Sequence, residues 1–300
     1  MATMNGARFL DEQLRSIEAQ TQPAVIDIWV SDDGSRDGTR DLLDGWARRW
    51  TRGGFTVLEG PGRGFAENFR SLILNAAINA DAYAYCDQDD VWEPDKSARA
   101  LAFLSSVGGD RPAMFCSRTL TMAESGEAVG VSRLFRREPS FRNALVQSIA
   151  GGNTMTINRA ARDLVAQASA RTAFVSHDWW TYLLVTGAGG AVSYCPDPLV
   201  RYRQHAGNQV GANASPRAMA ARLHRLARGR FTDWMTLNIE GLRRNRDLLT
   251  PEAGDAFRAF EGIRSAGMLA RANALRRAGV YRQSRAGTLA LTLAALFGRL

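Results

Sequence analysis

The 300-residue chain reads as an α/β protein, an open and mostly parallel sheet flanked by helices, with a helical C-terminal extension. Three observations predict this. Short β-rich runs alternate with helical patterns through the first two-thirds of the chain. The unusual residues gather where strands run into helices, the edge at which open α/β sheets hold ligands. Beyond about residue 210 the strand signal stops and Arg-rich helical periodicity takes over.

Residues 8–20 place Phe9, Leu10, Leu14 and Ile17 on one helical face. Residues 25–31 (VIDIWVS) read as a strand that ends in Asp32-Asp33-Gly34-Ser35. The helical pattern returns over 39–50 with Leu42, Leu43, Trp46 and Trp50, and a short strand follows at 55–58. Gly60-Pro61-Gly62-Arg63-Gly64 precedes a helix carrying Phe65, Phe69, Leu72 and Ile73. Residues 82–86 (AYAYC) form a strand that runs into Asp87-Gln88-Asp89-Asp90, and a helix follows Pro94. Further on, a helix over 141–149 leads through Gly151-Gly152-Asn153-Thr154 to an apolar run, Met155 to Ile157. Another helix begins at Ser176-His177-Asp178-Trp179-Trp180. Segments 217–228, 236–249 and 256–277 are helical in pattern. Residues 287–297 are apolar but too short to span a bilayer, which needs about 20. Met1 to Gly6 already look like a strand-to-helix turn. Either the fold lacks the strand before it or that strand lies upstream of residue 1, and the second is the expectation.

The net charge of +8 divides unevenly. Residues 215–300 hold 16 Arg against 6 acids, while 1–214 hold 22 basic and 24 acidic residues. Residues 1–212 are accordingly assigned to the α/β domain and 213–300 to a basic helical region. Cys86, Cys116 and Cys195 are odd in number and show no zinc spacing, which favours a reducing compartment. No signal-peptide pattern is seen, so a cytoplasmic location is expected.

The acidic turns carry the chemistry. Asp87 and Asp89, at i and i+2 on a strand end, repel one another, and a divalent cation would relieve that repulsion. Hard oxygen ligands select Mg²⁺ or Mn²⁺; a solvated acidic turn is the plain alternative. In the turn at 32–35 one acid could cap the next helix and the other could accept from a base N–H or a ribose hydroxyl. The glycine-rich run at 60–64 lacks both the GxGxxG and the P-loop spacing. It reads as a flexible loop whose Arg63 could meet a diphosphate.

Taken in order, MATMNGARFLDEQLRSIEAQT, VSDDGSRDGT, GFAENF and CDQDDVWEPDK resemble the family 2 glycosyltransferases of GT-A fold, in particular their rhamnosyltransferase-like branch. The resemblance covers roughly residues 1–210. It implies a nucleotide-diphosphate-sugar donor, with Thr3 and Asn5 against the nucleotide, Asp32 at the pyrimidine base and Asp33 near it. Asp87 and Asp89 become the pair that meets the donor phosphates through the metal. Asp178 becomes the base that deprotonates an acceptor hydroxyl, for single-displacement inversion; its alternative is a helix N-terminal acid favoured by the dipole. In Arg201-Tyr202-Arg203-Gln204-His205, the resemblance places Arg203 on the diphosphate and His205 on the metal. His177 reads as an orienting neighbour, His224 as a surface residue, and Gly151 to Thr154 as the lining of the sugar and acceptor pocket or a plain turn. Met4 departs from the family, where that position is often aromatic.

The reading is therefore an inverting, metal-dependent transferase. It moves a sugar, rhamnose from dTDP-rhamnose by resemblance, to a glycan or lipid-linked acceptor in surface polysaccharide synthesis. Two rivals compete with it. Asp87-Gln88-Asp89-Asp90-Val91 also matches the DxDx[TV] nucleophile of haloacid-dehalogenase-like phosphatases. The basic tail could instead mark a non-catalytic binder of membrane or nucleic acid. Arg interleaved with Leu, Met and Phe suits a membrane surface better than nucleic acid, so the expected location is peripheral, on the inner face of the cytoplasmic membrane.

Overall fold

The computed structural model describes residues 1–205, 230–265 and 267–298. The helix expected over 217–228, and His224 within it, lie outside the described residues. The N-terminal third follows the sequence order closely: β1 (Ala2–Thr3), α1 (Leu10–Glu18), β2 (Ile28–Asp32), α2 (Thr39–Arg49), β3 (Phe55–Glu59) and α3 (Phe65–Leu74). These three strands form a parallel sheet in the order β1-β2-β3. Ala2–Thr3, within the segment read as a strand-to-helix turn, form a short strand that pairs with Ser31 and Asp32. One face of the sheet is covered by α1 and α2. Leu10, Leu14, Ile17, Leu43 and Trp46 are buried against Val30, because three- and four-residue spacing brings apolar side chains onto one side of each helix.

The second sheet differs from the expectation of mostly parallel pairing. Its elements are β4 (Ala82–Ala84), β5 (Val91–Trp92), α4 (Lys96–Val107), β6 (Ala113–Met122), β7 (Ala128–Val131), α5 (Phe141–Ala144), β8 (Thr156–Asn158), α6 (Arg159–Arg171), α7 (His177–Gly187) and β9 (Ala191–Arg203). The strands run β4-β8-β6-β9-β5, with β7 on β6. Only β6 and β9 pair in parallel; the other pairings are antiparallel. An intervening helix shows that the chain crosses over, but it does not dictate where the returning strand inserts. The β6–β9 ladder slips between Ser117 and Thr119, opposite Pro196 and Pro198. Proline has no N–H to contribute there. The two sheets are joined at the site edge, where Ala2 N donates to Cys86 O at 3.3 Å.

The C-terminal helices α8 (Arg230–Arg244), α9 (Pro251–Ser265), α10 (Met268–Ala278) and α11 (Arg285–Leu296) close the molecule. They do not build a core of their own among the described residues. Met235, Ile239, Leu242, Phe257, Phe260 and Leu291 join the buried cluster that holds Phe141, Trp180 and Tyr182. Polar contacts follow the same seam: Tyr281 Oη and Ser140 Oγ are 2.8 Å apart, and Asn143 Nδ2 donates to Tyr281 O at 2.9 Å.

Candidate active site

Four segments converge at the junction of the sheets: the turn at 3–6, the turn at 32–35, the acidic turn at 87–90 and the N-terminus of α7. Asp32 closes β2 and is almost wholly buried. It accepts from Thr3 Oγ1 (3.0 Å), Ser35 Oγ (2.5 Å), Ser35 N (3.2 Å) and Arg40 Nε (2.8 Å). Burial pushes its carboxyl up, but these bonds outweigh burial and hold it below the ordinary carboxylate value. Asn5 adopts a left-handed backbone, φ +50°, a conformation asparagine tolerates better than most residues. From there its Oδ1 accepts from Arg36 N at 2.8 Å, while Ser35 Oγ accepts from Asn5 N at 2.8 Å. Thr3 and Asn5 are therefore tied to Asp32, directly and through Ser35.

Asp33 sits differently. Both its oxygens are taken by backbone, from Gly62 N at 2.7 Å and Gly64 N at 2.8 Å. Gly62 and Gly64 have φ of +65° and +87°, so glycine is needed for the loop to wrap the carboxylate. Asp33 thus acts as the anchor of the glycine-rich run, and Arg63 stands exposed on that anchored loop.

At the acidic turn, Asp87 is pushed above the ordinary carboxylate value first by burial, then by the charges of Asp89 and Asp178. The charge of the expected base, Asp178, thus reaches Asp87. Asp178 is half-buried in the first turn of α7, where its Oδ1 accepts from Trp179 N at 2.7 Å. His205 Nε2 lies 2.6 Å from Asp89 Oδ2, and its ring packs against Phe9. This donor set fits a hard divalent cation: two crowded carboxylates whose repulsion a cation relieves, and an imidazole already on one of them. Their chemistry suits the cation, but among the described residues no three His, Cys, Asp or Glu are gathered closely enough to hold a metal ion as they stand.

Arg203 corrects the sequence reading. Its side chain is 3% exposed, and it lies behind the acidic turn rather than facing a donor. Its guanidinium donates to Asp89 O (3.0 Å), Glu124 O (3.0 Å) and Glu12 Oε2 (2.5 Å). Asp90, also buried, accepts from Arg203 N (3.2 Å) and Asn153 Nδ2 (2.5 Å). Arg203 and Asn153 thus set the shape of the turn that carries Asp87 and Asp89. Beneath it lies Lys96, the chain's one lysine, with its ammonium 3.6 Å over the Trp92 ring. Burial pulls Lys96 down to about 8, against the charges of Cys86 and Asp90. Gly151 borders a cavity of about 120 Å³ shared with Ser117, Arg133, Phe135 and Tyr194.

Sequence reasoning missed Gln88. Its Oε1 accepts from Met4 N at 2.8 Å and its Nε2 donates to Met4 O at 3.0 Å. One amide therefore staples the turn at 3–6 to the acidic turn. The signal was its place between two acids: if Asp87 and Asp89 share a side, the residue between them faces away. His177 is neighbour to the site but not part of its proton traffic. Its ring stacks on Phe69 at 3.7 Å between centroids, and neither nitrogen has a hydrogen-bond partner among the described residues.

The sequence model described as "Glycosyl transferase family 2" matches residues 1–164. Among curated proteins, the dTDP-rhamnosyl transferase RfbG of Shigella flexneri is 28% identical over 231 residues, covering 74% of this chain and 78% of that one. Among solved structures, residues 1–349 of S. aureus TarS in complex with UDP-GlcNAc superpose with a TM-score of 0.54 at 16% identity, covering 91% of this chain and 78% of that one. GalNAc-T7 with UDP, GalNAc and Mn²⁺ gives a TM-score of 0.50 at 12% identity, over 90% of this chain and 52% of that one. At these identities the structural likeness is one of fold, and it is the GT-A-like fold that the motifs implied. The phosphatase reading of Asp87 and the non-catalytic reading are set aside by the family match.

Proposed function

The chain belongs to glycosyl transferase family 2, and from that premise we propose that it is an inverting, divalent-cation-dependent rhamnosyltransferase. The donor is dTDP-rhamnose, and the acceptor is a glycan or lipid-linked glycan of a bacterial surface polysaccharide. The enzyme works peripherally at the inner face of the cytoplasmic membrane. The observation that supports the reaction type is that the Asp178 charge reaches Asp87 and helps to raise its carboxyl, as the Asp89 charge does. The choice of sugar is supported by RfbG, the dTDP-rhamnosyl transferase related over most of this chain.

In this reading Thr3, Asn5 and Asp32 line the nucleotide, and Arg63 reaches the diphosphate from its anchored loop. Asp178 removes the proton from an acceptor hydroxyl. The freed oxygen attacks the anomeric carbon from the side opposite the diphosphate, the carbon–oxygen bond to the diphosphate breaks, and configuration inverts. Asp87, Asp89 and His205 would hold a Mg²⁺ or Mn²⁺. When bound, it supplies positive charge that offsets the negative charge developing on the leaving diphosphate.

A nucleotide-sugar panel tests this, read by thermal shift with and without Mn²⁺. Bound at about 100 times its Kd, the true donor stabilises by about 2.7 kcal/mol. dTDP-rhamnose is expected to give the largest shift, and Asp89→Ala to lose its Mn²⁺-dependent part. Asp178→Asn is expected to keep the donor shift while turnover falls about 10²–10⁴-fold. A larger shift with a UDP-sugar would overturn the donor assignment, and full turnover by Asp178→Asn would remove it as base.

A further inference from the structure

α11 leaves one face uncovered. Leu289, Leu293 and Phe297 are 61%, 47% and 73% exposed. At i, i+4 and i+8 they lie on one side of the helix. Ala286 and Ala290 are exposed with them, while Leu291 and Ala295 are buried into the core. The exposed stripe carries no charged side chain beyond Arg285 at the helix start. Residues 262–300 include seven Arg and no Asp or Glu. Arg276 and Arg277 are exposed on α10, which packs beside α11. Arg277 also lines, with Arg258 and Asn273, an open cleft of about 260 Å³ between α9 and α10.

An exposed apolar helical stripe in a stretch of chain that carries arginines and no acid is mismatched to water. It matches a layer with anionic headgroups above acyl chains. At 12 residues α11 is about 18 Å long, against a hydrocarbon core of about 30 Å. No helix among the described residues is long and apolar enough to cross a membrane. The geometry therefore suits lying on a bilayer. We propose that α11 is the membrane contact of this protein, inserting Leu289, Leu293 and Phe297 among the acyl chains of an anionic bilayer while the arginines of α10 meet lipid phosphates. This rests on the reading that the transferase works at a membrane, and it names the surface that does so.

Flotation with phosphatidylcholine–phosphatidylglycerol vesicles, against phosphatidylcholine alone, tests it on the full chain. Wild type is expected to float with the anionic vesicles and to bind neutral ones weakly. The triple variant Leu289→Gln, Leu293→Gln, Phe297→Gln should partition about tenfold less or weaker still, the change expected when an aliphatic side chain leaves an apolar phase. Gln is nearly as good a helix former as Leu, and these side chains are exposed, so the melting temperature should hold. Arg276→Gln with Arg277→Gln should weaken binding about fivefold per arginine. In wild type, hydroxyl-radical labelling of Leu289, Leu293 and Phe297 should fall when anionic vesicles are added, a readout that needs no variant.

Wild type that stays with the soluble fraction, equal binding to neutral vesicles, or a triple variant that still floats would each overturn the assignment; the last would leave another surface as the membrane contact. Self-association abolished by the triple variant without any flotation would give the face to a second copy. A donor thermal shift recorded in the same samples separates the readings. Loss of flotation with the shift intact concerns α11 alone, while flotation without any nucleotide-sugar shift would sink the transferase assignment and leave the membrane surface standing.

Discussion

Single side chains in this site are divided between those that face a substrate and those that hold their neighbours. Arg40 on Asp32, Asp33 and the glycine loop, and Arg203 and the acidic turn belong to the second group by their hydrogen bonds. His177 shows what burial without a partner does. Burial lowers its imidazole to about 4, against the raising effect of Asp178. Its ordinary value, about 6.5, applies once the chain unfolds. A folded-state value below the unfolded one means that the unfolded chain binds the proton more readily. The stability contribution is therefore present above about pH 6.5 and lost as pH falls toward 4, on the order of 2 kcal/mol by pH 5. Urea unfolding at pH 7 and pH 5 should show that loss in wild type and a flatter profile in His177→Gln; equal slopes would mean that the ring is not buried neutral.

Elements matter here through the turns that join them. The β1–α1 turn and the acidic turn after β4 are far apart in sequence and are stapled by the Gln88 amide. Gly6 leaves room for that amide, since a Cβ on residue 6 would sit 2.3 Å from Gln88 Oε1. Gly6→Ala should expel Gln88 and cost about 1–3 kcal/mol of stability. It should also weaken nucleotide-sugar binding, because the nucleotide-facing turn loses its fixed distance from Asp87 and Asp89. Gln88→Ala should reproduce both effects, and the double variant should add little to either. Calorimetric donor titration and chemical unfolding measure the two, and simple additivity would show that the staple does not link the turns.

Over the whole molecule, the charge division and the core division do not coincide. The residues beyond 213 differ from the rest in charge, yet α8 and α9 share one buried cluster with α5 and α7. Phe257, fully buried in that cluster, illustrates the consequence. Phe257→Ala should cost about 3–5 kcal/mol and lower the midpoint of a single transition. Circular dichroism and intrinsic fluorescence should follow one melting curve; two separated transitions would restore an independent C-terminal domain. The uncovered face of α11 belongs to this scale too, because which side of a helix is buried is set by what packs against it: Leu291 and Ala295 face the core while Leu289, Leu293 and Phe297 do not.

The α1, α2 and α3 helices, the strands ahead of both acidic turns and the chemical character of those turns were legible from residue spacing alone. Such features are decided within a few residues, by side-chain periodicity and by the few residue types a tight turn accepts. The expectation of a mostly parallel sheet did not extend to the second sheet, because strand direction depends on where distant chain inserts: β5 and β9 meet antiparallel across about 110 residues. The site partners lie further apart still: His205 reaches Asp89 across 116 positions and Arg203 reaches Glu12 across 191. Sequence determined which groups this protein could bring to a nucleotide-sugar, since acid, amide and guanidinium chemistry is fixed by residue type. Only the tertiary structure decided that the charge of Asp178 reaches Asp87 while Arg203 is spent inside the fold, because burial and pairing are properties of the packed chain.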